Sequence, residues 1–173
     1  MSAEQTAVAE HIELSGPDAA TLRKVMSHFC TGVAVITAHD GERPLGFTCQ
    51  SVVSLSLEPP FVSFCPTKTS KSWPLLREAR HLCINVLAHD QKDICGQFAT
   101  SGADKFAGVS WSTAPNGAPA LDGTLARIDA TVEVEHDAGD HTIVIARITD
   151  LTADVDRQPL LFFKGGYGDF AAH

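Results

Sequence analysis

The amino-acid sequence predicts a mainly β protein, a closed or nearly closed barrel that carries peripheral helices. Six or more short segments are rich in β-branched residues or alternate apolar with polar residues, and turn residues separate them. Helical patterns occur between some of these segments but never alternate with them one for one, which argues against a parallel doubly wound sheet. At 173 residues, the chain fits one domain.

The N-terminal region is predicted to be a flexible tail, residues 1–16, followed by one folded domain, residues 17–173. The domain begins within SGPDAATLRKVMSHF, whose apolar residues recur at intervals of three and four. Ser15 is a candidate N-cap, Pro17 suits a first helical turn, and Asp18 favours the positive end of a helix. The segment is therefore predicted to be an amphipathic helix.

The strands follow in order along the chain. Two or three are predicted in GVAVITAHD and PLGFTCQSVVSLSLEPPFVSFCP, which a DGER turn separates. SWPLLREARH predicts a short helix, LCINVLAHD a strand and QKDICGQFAT a second short helix, before a loop to Pro119 with a small strand at 108–113. LARIDATVEVEHD and HTIVIARITDL, joined by DAGD, predict a long hairpin, and PLLFFKGGY predicts the last strand.

The composition argues against several classes of partner. A formal net charge of -8 disfavours nucleic acid and anionic membranes, because both require clustered Lys and Arg. No apolar stretch approaches the ~18 residues of a spanning helix, and the N-terminus lacks the pattern of a signal peptide. The five cysteines are widely spaced and never form a C-x-x-C pair, so buried reduced thiols, no metal site and a cytoplasmic location are predicted.

Common nucleotide-binding and hydrolase fingerprints are missing from the sequence, so any nucleotide must be held outside them. FCPTKTSKSW places two lysines and several hydroxyls between a buried strand and a predicted helix start, whose cap is Ser72 or Ser70. Unpaired N–H groups at a helix start, together with cationic side chains, favour phosphate. The segment is either a phosphate cradle or a capped, solvated loop.

Polar residues also interrupt GFTCQSVVSLSLEPP, where Thr48, Gln50, Ser51 and Ser54 lie in an expected pair of buried strands. Buried polar groups need hydrogen-bond partners. These residues therefore either bond across the strands or line a groove for a flat polar heterocycle. His141, at the exit of the hairpin turn, is either an ordinary surface residue or part of a site.

Five motifs occur in register: FCTGVAVIT, GFTCQSVVSLSLEPPFVSFCP, TKTSKSW, GDH and LLFFKGGYGDF. Through them, from about Leu22 to Phe170, the sequence resembles the short-chain flavin reductases, the reductase components of two-component flavin-dependent monooxygenases. FCPTKTSKSW and QKDICGQFATSGADKFAGVSW are also similar to the reductase that serves an actinobacterial steroid-degradation hydroxylase. The resemblance implies an FMN-binding split β-barrel of Greek-key type.

The resemblance also implies roles for particular residues. Flavin binding is carried over to Pro44, Leu45, Gly46, Phe47, Thr48, Gln50, Ser51, Cys65, Pro66, Thr67, Lys71, Ser72, Gln97 and Phe98. NAD binding is carried over to His141, Phe162, Phe163, Lys164 and Gly165. His141 is the candidate catalytic residue, with the role of orienting the nicotinamide rather than of transferring a proton. Gln97 stands where many relatives have Arg, and Phe163 and Lys164 stand where Tyr and Arg are expected.

The implied activity is that of an NAD(P)H:flavin oxidoreductase, with NADH favoured because no basic pocket for a 2′-phosphate is evident. Hydride would pass from the nicotinamide C4 to N5 of FMN or FAD, while the protein positions and polarises the rings. Reduced flavin would then leave for a partner monooxygenase, and the barrel would pair as a homodimer. Two other interpretations stay open: a non-catalytic flavin- or haem-binding protein, and an oxidase of the pyridoxamine phosphate type.

Overall fold

The computed structural model describes residues 16, 18–102 and 104–171. Within that range the helices are α1 (Ala19–Met26), α2 (Trp73–Ala79) and α3 (Lys92–Ala99), and a 3₁₀ turn at His89–Gln91 precedes α3. The strands are β1 (Thr31–Gly32), β2 (Ala34–His39), β3 (Pro44–Cys49), β4 (Val53–Leu57), β5 (Pro60–Phe64), β6 (His81–Val86), β7 (Trp111–Thr113), β8 (Pro119–Leu121), β9 (Ala126–Ala138), β10 (His141–Ala153), β11 (Leu161–Phe163) and β12 (Gly166–Gly168).

Seven strands form one antiparallel sheet in the order β3-β2-β6-β9-β10-β5-β4. Because direction alternates from strand to strand, the edge strands β3 and β4 run the same way. In a flat sheet these edges would lie about 29 Å apart, yet residues 50–52, which join them, span at most about 14 Å. The sheet must therefore curve until the end of β3 comes within about 14 Å of the start of β4, which is consistent with a barrel split between these two strands.

This architecture confirms a mainly β fold with peripheral helices and a nearly closed barrel. The strand order is not sequential, since the β9–β10 hairpin lies between β6 and β5, in keeping with the predicted Greek-key type. Each strand of that hairpin is 13 residues long, so the clearest alternating pattern in the sequence produced the longest element. The two edge strands do not pair, so the barrel is split rather than closed.

Strand β2 is buried on both faces, because successive side chains of a strand point to opposite sides. Ile36 belongs to an inner cluster with Phe64 and Trp73, whose rings meet edge to face at 5.3 Å. Val35 belongs to an outer cluster with Phe98. Helix α2 therefore packs on the inner cluster and α3 covers the other side of β2.

Helix α1 begins at Ala19, later than the predicted segment. Its N-cap is Asp18, whose Oδ1 accepts hydrogen bonds from the N–H groups of Ala20 and Thr21 at 2.9 Å. The candidate cap Ser15 and the first-turn Pro17 lie outside the described residues. The predicted tail, residues 1–16, also lies outside them except for Gly16.

The apolar face of α1 stays largely exposed in the part of the chain that the structure describes. The side chains of this face and of the turn after it are at least half exposed: Leu22, Val25, Met26 and Phe29. The amphipathic pattern was predicted correctly, but it does not face the core of this chain. Among the described helices, none has the length and apolar character needed to cross a membrane.

The segment PLLFFKGGY forms two short strands rather than one. Lys164 (φ 50°) and Gly165 (φ 80°) make the turn between β11 and β12, and positive φ at both positions is typical of a tight hairpin. β1 adds to β11, and the Lys164 N–H donates to the Ser27 carbonyl at 2.8 Å. Similarly, the small strand predicted at 108–113 is only β7, which pairs with β8.

A buried ion pair lies within β9. The Asp129 side chain has no exposed surface, and its Oδ1 lies 3.2 Å from Arg127 Nε. Burial raises the pKa of Asp129, and the neighbouring Arg127 charge opposes part of that rise. A side-chain hydrogen bond from Cys83 also lowers the pKa of Asp129, but Arg127 supplies the larger compensation.

The cysteines are all free, as predicted. Cys49, Cys83 and Cys95 are buried and Cys65 is half-buried. Cys30 is exposed, so the prediction of buried thiols is wrong for this residue. It follows the end of α1, where the neighbouring Phe29 is also exposed.

Candidate functional site

A groove of about 560 Å³ lies at the split of the barrel. We call it the split groove, and the residues that line it are Phe47, Thr48, Cys49, Gln50, Ser51, Cys65, Pro66, Thr67, Ser70, Ala99 and His141. They come from the end of β3, the loop after β5, the end of α3 and the start of β10. The curvature of the sheet brings these separate segments together.

Ser51 continues the pairing of β4 with β5, because Val53 lies opposite Ser63 and Ser51 lies opposite Cys65 in the same register. Its hydroxyl oxygen accepts a hydrogen bond from the Cys65 N–H at 2.8 Å and lies 3.4 Å from the Cys65 carbonyl oxygen. Cys49 Sγ also lies 3.3 Å from this hydroxyl. The Ser51 hydroxyl therefore bonds across the strands, whereas the Gln50 side chain stays exposed at the groove.

Strand β3 is held against α3 at two points. The Thr48 hydroxyl donates to the Cys95 carbonyl at 2.7 Å. A Cβ at Gly46 would lie 2.6 Å from Cε1 of Phe98, so this position has to be glycine for the ring to pack there. The close approach that Gly46 permits is to a core side chain.

The loop after β5 is tied to the tip of the β9–β10 hairpin. The Thr142 N–H donates to the Pro66 carbonyl at 3.0 Å, and the Lys68 N–H donates to the Asp140 carbonyl at 2.9 Å. The Lys68 ammonium pairs with Asp137, and this contact holds the pKa of Asp137 below its usual range. Lys68 is therefore neutralised within the protein.

The start of α2 differs in detail from the prediction. Ser72 is the N-cap residue by position, but the Trp73 N–H bonds to the Ser70 hydroxyl at 3.1 Å. The helix has only seven residues, so its dipole is short. Of the two candidate caps, Ser70 makes the hydrogen bond.

His141 stands at the rim of the split groove with its Nδ1 fixed. Nδ1 lies 2.7 Å from Oδ1 of Asp140, and this hydrogen bond, with the imidazole charge, lowers the pKa of Asp140. An ionised carboxylate accepts, so Nδ1 carries the hydrogen and donates it. Nε2 is thereby left for other contacts at the rim.

A second cavity, of about 710 Å³, lies beside the split groove. We call it the Lys105 cavity, and its lining residues include Arg43, Pro44, Leu45, Gly46, Lys71, Ser72, Leu75, Asp104, Lys105 and Phe106. It shares two chain segments with the split groove, since β3 and the loop before α2 contribute to both.

Lys105 joins three segments beneath this cavity. Its ammonium donates to the carbonyls of Gly46 at 3.1 Å and Phe98 at 2.9 Å, and to the Ser72 hydroxyl at 3.2 Å. Desolvation lowers the pKa of Lys105. All three acceptors are uncharged, so this half-buried cation is hydrogen-bonded but not neutralised.

Comparison with known proteins agrees with this geometry. A protein-family model described as the flavin reductase like domain matches residues 26–171. The chain belongs to this family. The matched range contains every one of the residues for which a flavin-binding or NAD-binding role was predicted.

Relatives of this flavin reductase-like domain carry functional names. The reductase subunit HsaB of a flavin-dependent monooxygenase from Rhodococcus jostii is 47% identical over 87% of this chain and 77% of its own length. An FMN reductase (NADH), SmoA, from Agrobacterium fabrum is 37% identical over 94% of this chain and 92% of its own length. The solved structure of the NADH:FAD oxidoreductase SgcE6 from Streptomyces globisporus superimposes with a TM-score of 0.84 at 32% identity. The match covers 92% of this chain and 98% of SgcE6. The resemblance to monooxygenase reductase components is confirmed.

The flavin-binding residues predicted for this domain divide between the two cavities. Phe47, Thr48, Gln50, Ser51, Cys65, Pro66 and Thr67 line the split groove together with His141. Pro44, Leu45, Gly46, Lys71 and Ser72 line the Lys105 cavity. Their assignment to flavin stays a prediction, but both cavities are lined by β3 and by the loop before α2.

Gln97 and Phe98 lie in the wall behind these cavities. The Gln97 amide donates to the carbonyls of Lys105 and Ala107 at 3.0 and 2.9 Å, which holds the loop that carries Lys105. The Phe98 side chain is fully buried and packs edge to face on Phe106 at 4.9 Å. Both residues shape the site through the loop and β3.

The predicted NAD-binding residues lie in two places. His141 lines the split groove, whereas Phe163, Lys164 and Gly165 belong to the small β1-β11-β12 sheet beside the end of α1. Phe162 lines a third, largely apolar cavity of about 940 Å³, whose wall at Cys49, Gln50, Ser51 and Cys65 is also a wall of the split groove. Within one chain, the nicotinamide candidates therefore do not share a cavity.

Sequence reasoning gave no role to Arg43 or Lys105, which both line the Lys105 cavity. Lys105 follows a Gly/Ala loop and Arg43 follows a turn, positions that are typical of solvated side chains. The sequence contains no signal that would bring them together. Only the fold places them beside Lys71.

Proposed function

We propose that the protein is an NADH-dependent flavin reductase, which reduces FMN or FAD by hydride transfer and supplies reduced flavin to a partner monooxygenase. The observation that carries this proposal is the split groove. Seven of the residues to which the family resemblance gives a flavin role converge on it from β3 and from the loop after β5, and His141 stands at its rim.

The residues of the groove fit an isoalloxazine ring. The strand edge from Phe47 to Ser51 offers backbone donors and acceptors, and Pro66 and Phe47 add apolar surface. Flat cofactors bind in mainly apolar clefts with a few polar groups placed to orient them. Thr67, Ser70 and Lys71 would then hold the ribityl chain and its phosphate.

When bound, the flavin supplies the hydride acceptor and NADH the donor, so the protein has to bind and orient them. The polar atoms of the residue 47–51 edge would stabilise negative charge on the ring. His141, with Nδ1 held by Asp140, would orient the nicotinamide from the rim. No protein nucleophile is required for this chemistry.

The relatives support both the reaction and the partner. Their names include NADH with FMN and NADH with FAD, and HsaB is named as the reductase subunit of a monooxygenase. In the present chain, Gln50, Thr67 and His141 are exposed or half-exposed at the groove. A site at the surface permits release of the reduced flavin to another protein.

The homodimer is part of the same proposal. The exposed apolar face of α1 has a counterpart in the edge strand β4, where Val53, Leu55 and Leu57 are 48–87% exposed. Both elements border the apolar cavity that shares a wall with the split groove. A second copy of the chain covering this face would bury these residues next to the flavin site.

The test is anaerobic reduction of FMN and FAD by NADH, followed by absorbance with the purified protein. We expect catalytic NADH oxidation that depends on added flavin. Tight retention of flavin without NADH oxidation would instead support a binding protein, and no dependence on either flavin would remove the proposal.

A variant tests the role of His141. His141→Ala is expected to raise the KM for NADH about tenfold, the cost of one lost polar contact to a bound ligand, with the KM for flavin changed much less. His81→Ala is the matched control, because His81 is an exposed histidine on β6 whose side chain bonds to Thr131, away from both cavities. Equal effects of the two variants would contradict the role of His141.

A further inference from the structure

The chain contains one tyrosine, Tyr167, and its hydroxyl lies against a buried thiol. The hydroxyl oxygen is 3.2 Å from Sγ of Cys95, a residue of α3 that is 3% exposed. The Lys92 ammonium, three residues earlier on the same helix, lies 5.3 Å from the centre of the Tyr167 ring. Tyr167 belongs to β12, yet both its ring and its hydroxyl contact α3.

Packing alone would not require the hydroxyl of Tyr167. Its ring meets the Phe162 ring edge to face at 5.3 Å, and a phenylalanine would keep that contact. Tyr167 is also 38% exposed, so water could satisfy the hydroxyl. The hydroxyl instead bonds to one buried sulfur. This bond fixes the orientation of the ring, because a hydrogen bond is directional and apolar contact is not.

Cys95 is also tied to the split groove. Its backbone carbonyl accepts the hydrogen bond of the Thr48 hydroxyl at 2.7 Å, and Thr48 lines that groove. One residue of α3 therefore bonds to β3 through its carbonyl and to β12 through its thiol. This connection sets how far the β11–β12 hairpin lies from the groove.

The outer strand of this hairpin depends on side-chain contacts for its position. β11 pairs with β1, and the Lys164 N–H in the turn donates to the Ser27 carbonyl. In the described part of the chain, β12 is an edge strand whose ladder partner is β11, and its three residues are exposed. The contact of Tyr167 with Cys95 therefore attaches β12 to α3 where no second ladder holds it.

Resting on the proposed function, we infer that Tyr167 is a positioning residue for NADH, which holds the β11–β12 hairpin in place relative to the split groove through Cys95. Phe162 lines the apolar cavity that shares a wall with the split groove, so rotation of the hairpin would move this ring relative to the groove. The hairpin residues to which the family resemblance gives an NAD role are Phe162, Phe163, Lys164 and Gly165. Loss of the hydrogen bond should therefore weaken NADH binding and spare flavin binding.

Ionisation of Tyr167 tests the contact independently of activity. The hydrogen bond with Cys95, together with burial, raises the pKa of Tyr167 to about 12. Because the chain has one tyrosine, the ultraviolet absorbance of tyrosinate reports this residue alone. Stopped flow records this absorbance immediately after a jump to about pH 11, before the protein unfolds. The wild-type protein should then be about one tenth ionised, against about nine tenths for an ordinary tyrosine.

Two substitutions of Cys95 complete this measurement. Cys95→Ala should raise the tyrosinate fraction several-fold, whereas Cys95→Ser, which supplies a hydroxyl at the same place, should keep it close to that of the wild type. A wild-type protein that is mostly ionised after the jump would overturn the contact. An identical tyrosinate fraction in Cys95→Ala and the wild type would do so as well.

Steady-state kinetics test the positioning. Tyr167→Phe keeps the ring and should raise the KM for NADH about fivefold, with kcat and the KM for flavin changed less than about twofold. Cys95→Ala should give the same increase, and the double variant should be no worse than either single one, because both remove the same hydrogen bond. Cys95→Ser should keep the KM for NADH near the wild-type value.

Thr100→Val is the matched control, because it also removes a hydroxyl at α3. The Thr100 hydroxyl donates to the Gly96 carbonyl at 3.0 Å and lines neither the split groove nor the apolar cavity. A Tyr167→Phe effect no larger than that of Thr100→Val, or equal rises in the KM for NADH and for flavin, would overturn the inference and leave the proposed function standing. A wild-type protein that reduces no flavin would refute the proposed function and the NADH role with it, while the tyrosinate measurement still decides the contact.

Discussion

Gly46→Ala is the substitution that most directly tests how β3 is positioned. A Cβ at residue 46 would lie 2.6 and 2.8 Å from Cε1 and Cδ1 of Phe98 and 3.2 Å from the Ile36 carbonyl oxygen. Non-bonded carbon atoms normally approach to about 3.5 Å or more. The methyl group would therefore overlap the ring by nearly 1 Å.

The overlap cannot be relieved cheaply. Phe98 is fully buried and packs against Phe106, and β3 is bonded to β2 along its whole length. Overpacking a closed core of this kind costs about 2–3 kcal/mol. For a chain of this size that loss lowers Tm by about 8 °C. The displaced β3 also carries Phe47 and Thr48, so flavin affinity should fall with stability.

The assay is urea unfolding followed by circular dichroism, with flavin titration of the folded protein. Gly96→Ala is the control, because a Cβ there meets nothing within 4 Å and the position lies inside α3, where Ala is favoured over Gly by up to about 1 kcal/mol. Phe98→Leu should partly rescue Gly46→Ala, since it removes the ring edge. A Gly46→Ala protein within about 0.5 kcal/mol of wild type would refute the packing argument.

Two further predictions concern stability and assembly. Arg127→Gln removes the cation beside the buried Asp129 carboxylate, so the pKa of Asp129 in the folded protein rises further. The substitution should lower the free energy of unfolding by about 3 kcal/mol at pH 8. This destabilisation should shrink as the pH falls toward the ordinary carboxyl range, because Asp129 is then protonated. The urea midpoints of the variant and the wild type at pH 8 and pH 5 measure this destabilisation. A loss of stability that is the same at both pH values would contradict the prediction, and so would a double variant with Asp129→Asn that regains no stability. Sedimentation equilibrium should give twice the 18.4 kDa chain mass, and a monomer at micromolar concentration would refute the homodimer.

Much of the fold was predictable because the hydrophobic periods are long and consistent. The β9–β10 hairpin extends over thirteen residues in each strand, and the alternating Ile128, Ala130 and Val132 of β9 face the inner cluster, although two bulges interrupt the pairing. The end of α1 was less predictable, since its apolar face stays at least half exposed among the described residues. The spacing of apolar residues indicates which side chains share a face of a helix, but not which part of the protein packs against that face.

The site was predictable only where its residues are close in sequence. The polar interruption at Thr48–Ser51 and the hydroxyl-rich loop after β5 were visible, and the fold brings them together. Ser51 illustrates what was open, because its hydroxyl accepts from the Cys65 N–H in continuation of the β4–β5 pairing rather than facing a ligand alone. Lys105 was not predictable, because the contacts that make it unusual are with residues 7 to 59 positions away.

The position of the split groove follows from the number of strands. Seven strands that alternate in direction leave two edges that run the same way, so the antiparallel ladder of the rest of the sheet cannot continue across β3 and β4. An open edge presents unpaired backbone N–H and C=O groups, which attract another strand or a ligand. The polar rim of a flat heterocycle can form those hydrogen bonds. The short length of the open edge leaves room for one such ligand. The polar residues that interrupt the expected buried strands at 48–51 lie beside this open edge, where the Thr48 and Ser51 hydroxyls bond to backbone groups of the chain and the Gln50 side chain stays exposed.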